Sequence, residues 1–556
     1  MVWLWWAKPK NVDMAGYAPA DSLLYIEANQ PLEVLASLGR TEAWQALEHL
    51  SPSASLAPRN TLLQNFLRWT GIGPVRSVIL ARAQVAAVVT DLGAVEEGEA
   101  LRIRQEEAIL VETHTSEVRI RGAFEEALKT LAEKFYGQPS LRRVNIDGVE
   151  FSEWTSPDGG RQIVGLVAGS LVIVGNTEKA VARCLAVSQG KRQSLLADPD
   201  LGRMRLQVGG AHALTFGYVP ASNSARLLAI GLPILMGRAP GDSEFQRLIT
   251  AGAAKIFGTL AWSSRPYLAG IEDQYLVTLQ PTVAARLKAD FGAADSSAPI
   301  QNVLPAEFYS ATNYRFSNPA AAWQGLKGAV SSQVDALSTI AFATLLKSSL
   351  LSYGIEDPDA FLTAVGGELF TIRLDESAER SLLVAGVRNR AVLQESILPK
   401  LRPKTSRGNE QEILEDSQGE FAAAFINDFV VLGNPPDVRR YVSGRLQNAR
   451  LSSEKLRQTT NFVSANTAAS VITYTDDTSR VSNFLAAVVA TRSGAPVPYA
   501  DLAQKISNLP FAVTETRVNE HGIERTTRSP LGQFSTLLPM LAPEQPTQAP
   551  NSPPPK

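Results

Sequence analysis

Two periods of apolar residues alternate along this chain, and the switches between them mark its elements. Ile163-Val164-Gly165-Leu166-Val167, Ala168-Gly169-Ser170 and Leu171-Val172-Ile173-Val174 predict two apolar strands joined by a tight, glycine-containing turn. Residues 421–425, Ile426-Asn427-Asp428 and residues 429–432 repeat that grammar. After Gly175-Asn176 and Gly433-Asn434 the period becomes helical, with Asn and Thr, or Asn and Pro, where helix starts favour them. Residues 122–136 carry Phe124, Leu128, Leu131 and Phe135 at helical spacing, with Glu125, Glu126, Lys129 and Lys134 between them, which predicts an amphipathic helix. Residues 85–89 and 108–111 read as strands, and Leu101-Arg102-Ile103-Arg104 alternates as a half-buried strand does. Hairpins mixed with helices, without regular strand-helix-strand alternation, predict an α+β fold built on largely antiparallel sheet rather than a doubly wound parallel one.

The same patterns occur twice. Pro19-Ala20-Asp21 recurs as Pro305-Ala306-Glu307, 286 residues on, and Ala43-Trp44-Gln45-Ala46-Leu47 as Ala322-Trp323-Gln324-Gly325-Leu326, 279 on. Residues 171–176 match 429–434 at an offset of 258, Tyr218 matches Tyr474 at 256, and Gly270-Ile271-Glu272 matches Gly522-Ile523-Glu524 at 252. Order is kept and the offset only falls, as expected of a duplication whose first copy gained longer loops. The Ser-, Pro- and Ala-rich residues 51–58 read as one such loop. The expected organisation is therefore two tandem homologous domains of sheet with packed helices, at 15–295 and 296–542, between an apolar stub at 1–14 and a Pro-rich disordered tail at 543–556.

A length of 556 residues exceeds a single core, and 45% hydrophobic with 19% charged residues is a globular composition. The formal net charge of -2 supplies no field to concentrate polyanions, so nucleic acid is not an expected partner. Between 437 and 457, Arg439, Arg440, Arg445, Arg450, Lys455 and Arg457 read as a solvated helix face. Cys184, the only cysteine, excludes an intramolecular disulfide and any multi-cysteine metal site; opposite Val442 in the second copy, it reads as a small buried hydrophobe.

Val2-Trp3-Leu4-Trp5-Trp6 followed by Lys8-Pro9-Lys10 resembles the outer end of a membrane-spanning helix, aromatic rings then cations, but is too short to span a bilayer. Two readings stand: the remnant of a membrane anchor whose start lies upstream of Met1, or an apolar tail packed on the first module. Residues 227–236 and 340–351 are short or, with Lys347, interrupted, and read as buried helices; the sharper alternative is a surface for a membrane or partner.

Common site motifs are missing. Gly71-Ile72-Gly73-Pro74 opens like a dinucleotide fingerprint, but Arg76 stands where the third Gly belongs, so it reads as a turn. His49, His114, His212 and His521 are far apart; His212 falls opposite Ala468 and His521 opposite Ala269, and all four read as surface or loop residues. Ser452-Ser453-Glu454-Lys455 meets the loose Ser-x-x-Lys pattern of acylating hydrolases without its companion elements, and reads as a helix start. Trp44 and Trp323 read as core anchors of the two copies. Glu356-Asp357-Pro358-Asp359 has oxygens for a hard cation but not the spacing of a calcium loop, and reads as a solvated turn before a helix. No catalytic, cofactor-binding or metal-binding residue is assigned.

Pro19-Ala20-Asp21-Ser22-Leu23-Leu24-Tyr25, the Trp44 segment and the hairpin-helix unit at 172–176 resemble a bacterial family known only as domain of unknown function thirty-three fifty-two, in two copies over residues 15 to about 540. The resemblance implies a membrane-anchored protein facing the periplasm or exterior and carries no functional residues. The function expected is a tethered, extracytoplasmic, non-catalytic binding or scaffold protein, with an envelope protein or lipid as partner. Its alternatives are a carrier of lipid or another apolar ligand, and an enzyme whose site is assembled from distant residues.

Overall fold

The structure is a computed structural model and describes residues 10–48, 79, 82–97, 100–146, 148–235, 251–293, 303–305, 307–334, 336–377, 379–397, 401–404, 413–446, 453–463, 468–493 and 506–536. The aromatic stub, residues 51–58 and 71–74, His49, Ser452 and the Pro-rich tail lie outside them. Among the described residues the fold is α+β, as expected, with all strand pairs antiparallel.

The first half supplies β1 (Leu24–Ala28), β2 (Gln84–Glu97), β3 (Ala100–Glu112), β4 (Ser140–Ile146), β5 (Val149–Thr155), β6 (Gln162–Ala168), β7 (Leu171–Gly175), β8 (Thr215–Val219), β9 (Phe257–Tyr267) and β10 (Gly270–Leu279). They lie side by side as β4-β5-β6-β7-β3-β2-β1-β8-β9-β10. The second half supplies β11 (Ser310–Tyr314), β12 (Val365–Arg373), β13 (Ser381–Val387), β14 (Leu401–Lys404), β15 (Ile413–Asp416), β16 (Ala422–Ile426), β17 (Phe429–Gly433), β18 (Val471–Thr475), β19 (Ala512–Val518) and β20 (Gly522–Ser529). Their order, β14-β15-β16-β17-β13-β12-β11-β18-β19-β20, repeats the first strand for strand. The last strands of the halves, β10 and β20, pair with each other, so one sheet of 20 strands runs through the molecule. Gln274 pairs with Thr526, 252 residues on, the offset that separates Gly270 from Gly522, so the ladder is symmetric about this pair.

Local chemistry explains the shared hairpin-helix unit. Gly169 and Asn427, 258 residues apart, both hold positive φ, 63° and 50°, a conformation that Gly adopts freely and Asn tolerates. Gly175 and Gly433 end β7 and β17 against a neighbouring backbone: a Cβ would come within 2.7 Å of Glu107 O at the first and 2.8 Å of Ser381 O at the second. Helices Glu178–Ser188 and Pro435–Leu446 follow; Thr177 accepts a bond from Ala180 N at 3.1 Å and Asn434 one from Asp437 N at 2.9 Å, each capping a start. The predicted amphipathic helix is observed as Glu117–Tyr136, with Ile120, Leu128 and Ala132 buried.

The largest core of the first half lies between β-sheet residues such as Tyr25, Leu110 and Ile173 and helix residues Val181, Cys184, Leu201 and Met204, and a small one around Ile120 and Val172 covers the other face. The two large cores of the second half lie on opposite faces of the sheet, around Phe370 and Val438 and around Phe361 and Leu393. Two more are shared. Trp44, Leu38 and Ile271 pack with Val481, Phe484 and Leu485, while Leu279 and Val283 pack with Ala329 and Val330. Trp44, 3% exposed, therefore anchors the joint rather than its own half alone, whereas Trp323 is only partly buried beside a second-half core.

Candidate functional site

Near one end of the sheet a cavity of about 720 Å3 opens between the C-terminal ends of helices Ala336–Leu351 and Arg390–Ile397 and the turn from β15 to β16. Its floor is apolar: Ile397, Leu401, Ala422 and Leu432 are all under a tenth exposed. Leu351, Tyr353 and Phe421 add apolar wall, and burial pushes the Tyr353 hydroxyl above its ordinary pKa. Glu356, Asp416 and Glu420 supply carboxylates at the lining, beside Ser417 and Gln418.

The turns place these groups. Asp416 N donates to Phe421 O at 3.1 Å and Asp416 Oδ1 accepts from Phe421 N at 3.0 Å, closing a loop in which Gly419 takes φ of 75°. Backbone N–H groups, Phe421's foremost, hold the Asp416 carboxyl below its usual range, so it stays charged at neutral pH. Gly354, at φ of 76°, turns the chain out of the helix Ala336–Leu351 beside Phe421. Asp357 then caps Pro358–Ala364, accepting from Asp359 N and Ala360 N at 3.1 Å, with Glu356 just ahead of the cap.

Two buried polar groupings sit at the joint, on opposite faces of the sheet. On one face Arg528 reaches Glu272 at 2.7 Å and Glu515 at 3.1 Å, with all three side chains a tenth exposed or less. On the other, Ser264 Oγ donates to Asp273 Oδ1 at 2.6 Å and accepts from Gln533 Nε2 at 2.6 Å, while Gln533 N donates to Asp273 Oδ2 at 2.9 Å. Burial raises the Asp273 carboxyl to about 6, with nearby Glu272 and Asp477 adding to the rise. The Ser264 hydroxyl is thus engaged as donor and acceptor and is 0% exposed, a packing arrangement rather than a nucleophile facing a substrate.

The residues singled out by sequence do not converge. Lys455 does lie in a helix start, Ser453–Thr460, but it is not a solvated cation: it is 11% exposed, 2.8 Å from Asp476 and 4.3 Å from the Phe511 ring. Arg439 and Arg440 do lie exposed on the helix Pro435–Leu446, as expected, pairing with Glu415 and, at 3.2 Å, with Glu307. Cys184 is fully buried and its thiol is pushed up to about 12 by burial. His114, in a loop at φ of 52°, contacts Gln84 at 3.2 Å, whereas His212 and His521 are exposed. Of the earlier candidates the Glu356 turn and Leu351, at the end of residues 340–351, touch the cavity, which is assembled from segments up to 81 residues apart, from Leu351 to Leu432. No group of acidic, His and Cys residues suited to a metal occurs among the described residues, and no described helix is long and apolar enough to cross a membrane. Comparison with protein-family models, curated proteins and solved structures gives no match.

Proposed function

We propose that this chain is a tethered, non-catalytic binding protein, made of two copies of one module, that receives an apolar ligand in the cavity beside β14–β16. The observation that carries the reading is the apolar floor beneath an opening of about 720 Å3, within the range of small-molecule sites. Exposed Leu351 at its edge extends the apolar surface towards solvent. The tether reading draws on the Trp-rich stub and on how the chain beyond it is held. Val12 exchanges two bonds with Gln84, at 2.8 and 2.9 Å, and Asp13 pairs with Arg205 at 2.8 Å, so pull on residue 10 passes directly into the first half. An extracytoplasmic location accords with such an anchor.

Native mass spectrometry of the purified protein, with and without Leu351→Trp, tests the binding reading. A co-purifying apolar ligand, lost in the variant, is the expected result. A protein that arrives empty and takes up no alkyl-chain ligand on titration would refute it. Protease accessibility in intact and permeabilised cells tests the location, and protection in spheroplasts would end that part of the reading.

A further inference from the structure

We propose that the end of the first-half sheet at which the chain enters lies against a phospholipid bilayer, with Val118, Leu206 and Leu268 inserted among the headgroups; the inference rests on the tether reading above and adds which surface faces the lipid. These are the three most exposed large apolar side chains among the described residues, at 90%, 76% and 73%. Strand register puts all three at one end. Gln84, which holds Val12, opens β2; it pairs with Glu112 at the close of β3, which pairs in turn with Leu171 at the start of β7. Just before Leu171, Gly169 N donates to Glu117 Oε2 at 3.1 Å, which sets Val118 beside that turn. On the other side of β2, Ala28 closes β1 opposite Val85, Glu27 pairs with Phe216 of β8, and Thr215 pairs with Ser264, close to the end of β9 and the Leu268 turn. Leu206 stands in the last turn of helix Pro199–Gln207, next to Arg205, whose guanidinium holds Asp13 at 2.8 Å.

The occupant is set by the chain that leads into this end. Trp3, Trp5 and Trp6 precede Lys8 and Lys10, the ring and cation types favoured where water meets lipid. From Trp6 to Val12 is 12 - 6 = 6 residues, so even a fully extended chain spans only about 20 Å between them. Rings held in the headgroup zone therefore bring the end of β2 within that distance of the bilayer. At about 4.8 Å per strand, the Gly169 turn stands about 10 Å from β2 on one side and the Leu268 turn about 15 Å on the other, so the three side chains surround the entry point. Leu268 points the same way independently. Its φ of 48° lies in the left-handed region, which disfavours a bulky side chain, and the side chain stands in water. Neither folding nor solubility favours leucine there over Asn or Gly, whereas insertion into lipid does.

The test places a polarity-sensitive fluorophore on the full chain at Leu206→Cys or Leu268→Cys, with Leu141→Cys as control; Cys184 is fully buried and takes no label. Leu141 is an exposed leucine on β4, near the opposite end of the sheet. Vesicles of phosphatidylcholine and phosphatidylglycerol are expected to blue-shift the labels at 206 and 268 and leave the label at 141 unchanged, and nitroxide carried on the lipid is expected to quench the first two alone. The triple variant Val118→Ser/Leu206→Ser/Leu268→Ser, shown to be folded by circular dichroism, is expected to lose about a hundredfold in vesicle affinity. Vesicle binding with the labels at 206 and 268 still in water, equal shifts at all three positions, or an unchanged affinity of the triple variant overturns this face and leaves the tether standing. A chain that does not sediment with vesicles overturns both.

Discussion

Replacing Asp273 with Asn should stabilise this protein at neutral pH and not in acid. The carboxyl is 1% exposed and its pKa is raised from 3.8 to about 6, mainly by burial. A carboxyl with a raised folded pKa gives up its proton more readily when unfolded, so its favourable contribution is complete below 3.8 and lost as pH rises through 6. Two units correspond to about 3 kcal/mol in favour of unfolding once both states are ionised. The introduced amide would keep one acceptor for Ser264, but its NH2 would face the Gln533 N–H that Asp273 Oδ2 now accepts, a loss of about 1 kcal/mol. The net gain is then about 2 kcal/mol at pH 8, falling to about zero near pH 4.5. Urea unfolding of wild type and Asp273→Asn at both pH values measures the difference. A gain of equal size at the two pH values, or a wild type more stable at pH 8, would refute a buried carboxylate that strains the joint.

Other outcomes follow from the same packing. Trp44→Ala empties a core built by both halves and should cost about 3–5 kcal/mol while destabilising the second half as well as the first, which hydrogen exchange in residues 478–485 would reveal. Arg528→Met removes the cation that buried Glu272 and Glu515 share, with Arg265 remaining beside Glu272, and should cost about 3 kcal/mol in urea melts; the double change Glu272→Gln/Glu515→Gln in that background should recover part of it. Cys184 should resist iodoacetamide at pH 8 in the folded protein and react fully in urea, because it is inaccessible and its thiol is held near 12; rapid alkylation without denaturant would contradict its placement.

How much of this could be read beforehand depended on whether the physics was local. The hairpins at 162–175 and 422–433 were legible because each strand is a short apolar run and each turn holds a residue suited to positive φ. The joint was not legible, although Gly270-Ile271-Glu272 recurs as Gly522-Ile523-Glu524. Strand β20 is rich in Thr and Arg, and β10 mixes Glu, Asp, Gln and Thr with Ile, Tyr, Leu and Val, so neither announces a partner some 250 residues away. Lys455 misled for a related reason: composition cannot distinguish a cation in water from one held between Asp476 and Phe511. The cavity needed three chain segments to meet, which no window of sequence contains.

Twelve steps across the sheet separate β2, where Gln84 grips Val12, from β16 on the cavity floor. At about 4.8 Å per step that path is about 60 Å of uninterrupted hydrogen-bonded backbone. If the N-terminus is held at a bilayer, the load path from that anchor to the cavity floor runs through the sheet, passed from strand to strand by the ladder hydrogen bonds.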